Sequence, residues 1–106
     1  MFVAWTTVPT EDLAQQLATG AIAARLAVCV QIEGPLTSHY LWQGVQERSV
    51  EYRLTLKVLA ETLPALETWL QARHPYEIPQ WIVVKAEHVG EKYLSWARAN
   101  PNNLTL

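Results

Sequence analysis

One strictly alternating run near the middle of the chain constrains its fold more than any other feature of the sequence. Val50, Tyr52, Leu54, Leu56 and Val58 are apolar, and a polar or charged residue separates each from the next. Side chains two residues apart on a strand lie on the same face, so the run predicts a β-strand with one apolar and one polar face. A shift of one residue would invert every side chain, so the pairing register of this strand is firmly set.

Further strands and helices are predicted on both sides of this strand. Thr10 suits the N-cap of a first helix, and Pro75 ends a second helix. Gly20 lies inside the first helix, where we expect it to allow a close approach to the sheet. Gln43 and Gly44 form the predicted tip of a hairpin. The predicted strands are residues 2–8, 26–42, 50–58 and 78–88, the predicted helices are residues 11–25, 62–74 and 91–99, and a polar tail begins at Asn100.

The order of these elements defines the fold class. A βαββαβ order followed by one more helix predicts a single α+β domain, spanning residues 1–106, with a ferredoxin-like sandwich. Crossovers of this length place both main helices on one face of the sheet. The other face, which carries Cys29, Gln31, Thr55 and Lys57, is then left uncovered.

The chain has more apolar surface than one small domain can bury. Of its 106 residues, 50% are hydrophobic and five are tryptophan. A buried aromatic side chain covers roughly 150–250 Å², and a domain of this size leaves much of its surface exposed. The unbroken apolar run at residues 81–84 is typical of a strand that is covered on both sides. We therefore expect an oligomer in which sheet packs against sheet.

Charge and composition exclude several classes of partner. Eight basic and ten acidic residues give a net charge of −2, and no stretch of Lys and Arg would neutralise a phosphate backbone, so nucleic acid is not an expected partner. No run of roughly 18 uncharged apolar residues occurs, so neither is a membrane. Residues 1–10 lack the basic start and apolar core of a signal peptide, which predicts a cytoplasmic location. The single cysteine, Cys29, rules out an internal disulfide.

Five short motifs occur in the order and spacing of a known family. They are residues 24–30 (ARLAVCV), residues 42–44 (WQG), Glu51 with the Leu-Lys pair at 56–57, residues 74–79 (HPYEIP) and residues 93–96 (YLSW). These segments resemble A-x-L-A-A-C-V, W-x-G, a Glu followed by I-K-T, H-P-Y-E-x-P and Y-L-x-W of the CutA divalent-cation tolerance proteins. One such motif is weak, but five in register across nearly the whole chain are specific.

The resemblance implies a homotrimer of PII-like architecture, with sheets packed around a three-fold axis and long hairpins gripping neighbouring subunits. It also implies an association with copper and other divalent cations. The copper ligands attributed to the family are a Cys late in the first strand and two adjacent His before the Pro-Tyr pair. This chain has Thr6, Arg73 and His74 at those positions. Only His74 remains as a metal ligand, so we expect weak binding of Cu²⁺ or another divalent cation.

Polar residues in apolar surroundings are candidates for a pocket between subunits. The cofactor-binding candidates, which we expect the trimer to bring into one cleft, are Cys29, Trp42, Glu51, Lys57, Tyr76 and Trp96, and the metal candidate is His74. Each also has a structural interpretation. Glu51, Lys57 and Tyr76 can form an interfacial salt-bridge and hydrogen-bond network. His74 can stabilise the end of the second helix, and Cys29 can be a small buried apolar side chain.

Two functions stay open at this point. The first is a cation-responsive trimer with weak metal ligation at inter-subunit sites. The second is a PII-like sensor that binds a small anionic metabolite or nucleotide in the same clefts through Lys57, Arg53 or Arg73. A small hydrolase that uses Cys29 has no motif in its favour, since GxSxG, a glycine-rich phosphate loop and HExxH are all missing. We therefore expect a binding protein and not an enzyme.

Overall fold

Four strands and three helices form the part of the chain, residues 1–99, that a computed structural model describes. The strands are β1 (Phe2–Val8), β2 (Cys29–Trp42), β3 (Val45–Val58) and β4 (Ile82–Lys85), and the helices are α1 (Glu11–Ala23), α2 (Leu63–Arg73) and α3 (Glu91–Ala99). The predicted tail from Asn100 lies outside the described residues. No helix in residues 1–99 is long and apolar enough to cross a membrane.

The four strands form one antiparallel sheet in the order β2-β3-β1-β4. β1 lies between β3 and β4, with Trp5 opposite both Thr55 and Ile82. Each strand–helix–strand crossover joins strands that run in the same direction but are not neighbours. The predicted α+β, ferredoxin-like fold with an added C-terminal helix is therefore confirmed.

The core lies between one face of the sheet and the first two helices. Leu54, Leu56 and Val58 of β3 are fully buried there, together with Leu66 and Leu70 of α2. The predicted register of β3 is thus confirmed at its C-terminal half. Burying a side chain of this kind contributes about 1.5–3 kcal/mol relative to leaving it exposed.

The N-terminal half of β3 extends past the core with β2 as a long hairpin. Val50 at this level is 59% exposed, because neither α1 nor α2 reaches it. The predicted tip is confirmed, since Gln43 and Gly44 both have positive φ (52° and 81°). Two central residues with positive φ form the turn whose twist matches that of paired strands. The hairpin accounts for much of the 50 Å length of the molecule.

Two predicted boundaries, the end of α1 and the start of β2, were wrong. α1 ends at Ala23 and not at Arg25, because Arg25 adopts a left-handed conformation (φ 58°). The N–H of Leu26 then bonds to the carbonyl of Ala21 at 3.0 Å, which closes the helix end. β2 consequently begins at Cys29 and not at residue 26.

The last strand is shorter than predicted and is covered on one face only. β4 comprises four residues instead of residues 78–88. Val83 packs against the core, but Ile82 and Val84 are 51% and 44% exposed. The unbroken apolar run indicated cover on both sides, and within residues 1–99 the second cover is missing. The contact expected between Gly20 and the sheet was also wrong, since the near neighbour of Gly20 is the ring of Trp69 on α2.

Candidate functional site

A groove of about 1300 Å³ lies between the β2–β3 hairpin and the loop that follows α2. The hairpin contributes the aromatic side chains Tyr40 and Trp42, and the loop contributes Tyr76. Extended strands that project beyond the core make one wall, and a proline-flanked loop (Pro75 and Pro79) makes the other. The groove therefore forms where the chain leaves its helical cover.

A buried carboxylate lies on the floor of this groove. Glu51 is only 8% exposed, and its Oε2 accepts a hydrogen bond of 2.7 Å from the hydroxyl of Tyr76. Burial raises the pKa of Tyr76 well above its usual range, and the bond to Glu51 raises it further. The phenol therefore stays protonated, and it remains a hydrogen-bond donor to the carboxylate.

His74 fixes the loop that carries Tyr76. Its Nδ1 accepts a hydrogen bond from the backbone N–H of Tyr76 at 3.2 Å, so the ring proton is on Nε2. Nε2 lies 3.0 Å from the carbonyl oxygen of Thr7 and 3.0 Å from Oγ1 of Thr6. Burial lowers the pKa of His74, although the bond to Thr7 and the charge of Glu51 oppose the shift. The neutral ring therefore ties the end of α2 to β1.

Two of the positions that the resemblance assigns to copper are in contact. Thr6 and His74 are hydrogen-bonded to each other, but a hydroxyl replaces the expected thiol. Arg73 is turned away, with its guanidinium 4.5 Å from the centre of the Trp69 ring and bonded to the Trp69 carbonyl. Both nitrogens of His74 are hydrogen-bonded, and no three His, Cys, Asp or Glu side chains of residues 1–99 converge. These residues do not fit a tight copper site.

Cys29 and Lys57 lie on the face of the sheet opposite to the core. They are cross-strand partners at one end of β2 and β3. The ammonium of Lys57 donates to Oε1 of Gln31. Burial is the largest cause that raises the pKa of Tyr93, on α3, and the nearby Cys29 thiol raises it further. Sequence reasoning missed the role of Tyr93, because no spacing relates α3 to this face.

One chain does not bring all the candidate residues together. Trp42, Glu51 and Tyr76 share the groove. Lys57 is six positions from Glu51 on β3, which is about 20 Å along a strand. Trp96 lies on α3 with its ring 5.5 Å from that of Tyr93. A single cleft would need a second chain, so the inter-subunit arrangement stays a prediction.

The groove carries negative charge without a compensating cation. Three carboxylate residues line it, Glu47, Glu51 and Glu77, and the lining within residues 1–99 contains neither Lys nor Arg. Neither Glu47 nor Glu77 was among the site residues predicted from the sequence. Glu47 pairs with Tyr40 across the hairpin. Extending the strand register of the hairpin to its tip could therefore have identified Glu47 from the sequence.

The basic side chains that were expected to bind an anion are engaged elsewhere. The guanidinium of Arg53 forms a salt bridge of 2.8 Å with Glu33. Lys57 bonds to Gln31, and Arg73 stacks on Trp69. The groove itself is therefore chemically suited to a cation and not to an anion.

Comparison with known proteins agrees with the fold and the motifs. The family model described as CutA1 divalent ion tolerance protein matches residues 2–100. The divalent-cation tolerance protein CutA of Thermus thermophilus is 36% identical over 94 residues, which are 89% of this chain and 91% of that protein. The protein CutA of Homo sapiens is 34% identical over 95 residues, 90% of this chain and 53% of that longer protein.

Solved structures give the same result. CutA from Synechococcus elongatus superposes with a TM-score of 0.88 at 42% identity and covers 92% of this chain and 87% of that chain. CutA1 from a psychrotrophic Shewanella has a TM-score of 0.89 at 33% identity, covering 93% and 92%. The fold and its neighbours thus define a ferredoxin-like α+β protein of the ion-tolerance type. The chain belongs to the CutA1 divalent ion tolerance family.

Proposed function

We propose that this chain acts in divalent-cation tolerance as a homotrimer that binds Cu²⁺ or another divalent cation weakly in its groove. The observation that carries the proposal is the set of three carboxylates in a groove lined by no Lys or Arg of residues 1–99. Charges of one sign in a cleft raise the local concentration of counter-ions. An anionic metabolite or nucleotide would be repelled by the same charges.

Weak binding follows from the arrangement of the donor atoms. A tight divalent site needs several ligands in a defined geometry, and no three such side chains converge within residues 1–99. His74 could act as a ligand only after giving up its bond to Tyr76 or to β1. In the proposal, the groove carboxylates attract the cation, and His74 acts chiefly by positioning the loop.

Exposed apolar residues support the homotrimer. Leu41 and Val45 at the hairpin tip are 70% and 58% exposed, and Trp42 between them is also exposed. Ile82 and Val84 add a second apolar area on the open face of the sheet. Contiguous apolar surface of this kind is typical of protein–protein contacts. In a trimer the hairpin and the open face of neighbouring subunits would cover each other, and the clefts so formed would contain Lys57, Cys29 and Trp96.

Titration calorimetry on the full chain tests the function. Cu²⁺ and Zn²⁺ should bind weakly, and Glu51→Gln should weaken the binding because it removes the buried charge but keeps an oxygen for Tyr76. Glu61→Gln is the matched control, since Glu61 is exposed and outside the groove. Binding of ATP without any binding of divalent cations would reject the proposal in favour of a PII-like sensor. Equal loss in both variants would place the cation elsewhere.

A further inference from the structure

One oxygen of the buried carboxylate is unpaired. Tyr76 donates to Oε2 of Glu51, whereas Oε1 takes no hydrogen bond from residues 1–99. Glu51 is more than nine-tenths buried, yet no side-chain oxygen of the described residues is both unpaired and sealed from solvent. Oε1 therefore opens into the groove that Glu51 lines. A buried charge with a single neutral donor is costly, and a cationic donor at Oε1 would offset that cost.

Aromatic rings surround the opening above this oxygen. Tyr40 and Trp42 line the groove on the hairpin side, and Tyr76 lines it on the loop side. The hydroxyls of both tyrosines are already bonded, that of Tyr40 to Ser49 at 2.8 Å and that of Tyr76 to Glu51. What they can still offer to a ligand is the face or edge of the ring. An aromatic face next to a carboxylate attracts organic cations.

We infer that the groove binds a primary ammonium group, which donates to Oε1 of Glu51 and packs its alkyl chain against Tyr40 and Trp42. This inference rests on the groove of the proposed function and names an organic ligand for it. A divalent ion is less well suited to this point, because a chelating set of ligands does not converge. A guanidinium uses its fork best on two free oxygens, and here one is taken. A quaternary ammonium has no N–H to donate.

The ammonium group has two possible sources with the same chemistry: a free alkylamine, or the side chain of a lysine from another copy of this chain. The chain has Lys57, Lys85 and Lys92. None of them lines the groove of its own chain. If the groove of the assembled protein binds a small amine, the source is a free alkylamine. If the groove is closed to a small amine, the source is a lysine of another copy.

The test is an NMR titration of the full chain with propylammonium chloride, and with guanidinium and tetramethylammonium chloride at equal ionic strength. Propylammonium should shift the backbone signals of Trp42, Glu51 and Tyr76 and bind most tightly. Glu51→Gln should reduce its affinity about tenfold or more, the change expected when a charge-assisted hydrogen bond is lost. Glu61→Gln is the control: Glu61 is exposed and does not line the groove, so this variant should change the affinity about twofold or less.

A second variant tests the geometry independently of the charge. Tyr76→Phe removes the donor at Oε2 and leaves both oxygens free, so guanidinium should gain affinity relative to propylammonium.

If a lysine of another copy fills the groove, the wild type will not bind propylammonium, but Lys57→Met, Lys85→Met or Lys92→Met will open the site to it. Absence of binding in the wild type and in all three lysine variants would overturn the inference. So would equal binding by the Glu51→Gln variant.

The two proposals fail separately. If propylammonium binds neither the wild type nor any of the three lysine variants, but Cu²⁺ or Zn²⁺ still binds in a Glu51-dependent way, the inference is wrong and the proposed function stands. If propylammonium binds and divalent cations do not, the metal assignment is wrong and the groove is an amine site.

Discussion

Burial favours the neutral form of the His74 imidazole by lowering its pKa, and we expect this to make folding sensitive to pH. Protonation would place an N–H on Nδ1, facing the N–H of Tyr76 that now donates to it. Burial is the largest cause of the lowered pKa. The unfolded chain, with a histidine pKa near 6.5, therefore binds a proton at a higher pH than the folded chain. The unfolded state holds more protons between the two pKa values, so the free energy of unfolding rises with pH in that window.

We expect the contribution of His74 to be complete above about pH 6.5 and to be lost as the pH falls through the lower folded pKa. Urea unfolding at fixed protein concentration, from pH 5 to pH 8, measures it. His74→Asn should flatten the pH dependence relative to wild type. The exposed His39 provides the control, and His39→Asn should leave the slope unchanged. An equal slope in wild type and His74→Asn would contradict the assignment.

We expect the hydroxyl of Thr6, in place of a thiol, to keep the affinity of this chain for Cu²⁺ and Zn²⁺ low. Because Thr6 and His74 are already in contact, Thr6→Cys places a thiol next to the ring, and Arg73→His adds a second imidazole. The double variant should bind Zn²⁺ or Cu²⁺ more tightly than wild type, since thiolate and imidazole are good ligands for both ions. Calorimetry at neutral pH measures the gain, and a chelator should reverse it. Nanomolar copper binding by the wild type would show that the ligands lie elsewhere.

At the scale of elements, α1 and α2 pack against each other at Gly20. A Cβ added at Gly20 would lie 2.7 Å and 2.9 Å from two carbons of the Trp69 ring. That ring also carries Arg73 on its face, so it cannot move without losing a second contact. The two main helices therefore cross at a point where only hydrogen fits.

Gly20→Ala should destabilise the protein despite the better helix propensity of alanine. The propensity gain is about 1 kcal/mol, and overpacking against a held ring costs about 1–3 kcal/mol. Thermal unfolding of Gly20→Ala, Trp69→Leu and the double variant measures the balance. Alanine at position 20 should be tolerated better in the Trp69→Leu background, where the ring is gone. Full additivity of the two changes would disprove the steric explanation.

At the level of the whole molecule, the projecting hairpin predicts a homotrimer. Light scattering at micromolar concentration should give about three times the chain mass of 12.0 kDa, since obligate interfaces typically bury 2,000 Å² or more. Trp42→Ala should weaken assembly and heat resistance more than Trp5→Ala, because Trp42 is at the exposed tip and Trp5 is in the middle of the sheet. A monomeric wild type, or two variants that behave alike, would reject this arrangement.

The sequence predicted the fold well for those elements whose buried and exposed faces both depend on contacts within the chain. The alternation in the C-terminal half of β3 and the turn at Gln43 and Gly44 are local signals, and both were confirmed. β4 was predicted too long because the apolar pattern of residues 81–84 does not show which side another part of the chain covers. The contact of Tyr76 with Glu51 joins residues 25 positions apart. No sequence periodicity relates a loop residue to a strand residue in this way, so the groove could not be predicted from the sequence.

The central position of β1 has a consequence for biosynthesis. β1 leaves the ribosome before β3 and β4, but Phe2 pairs with Val58 on one side and Lys85 on the other. Long-range pairing of this kind delays folding, because the intervening chain must be closed into a loop first. The nascent chain therefore exposes an apolar strand until β3 and β4 have been translated. A chaperone that recognises extended apolar segments should bind Phe2–Val8 during synthesis and lose its site when β4 pairs with β1.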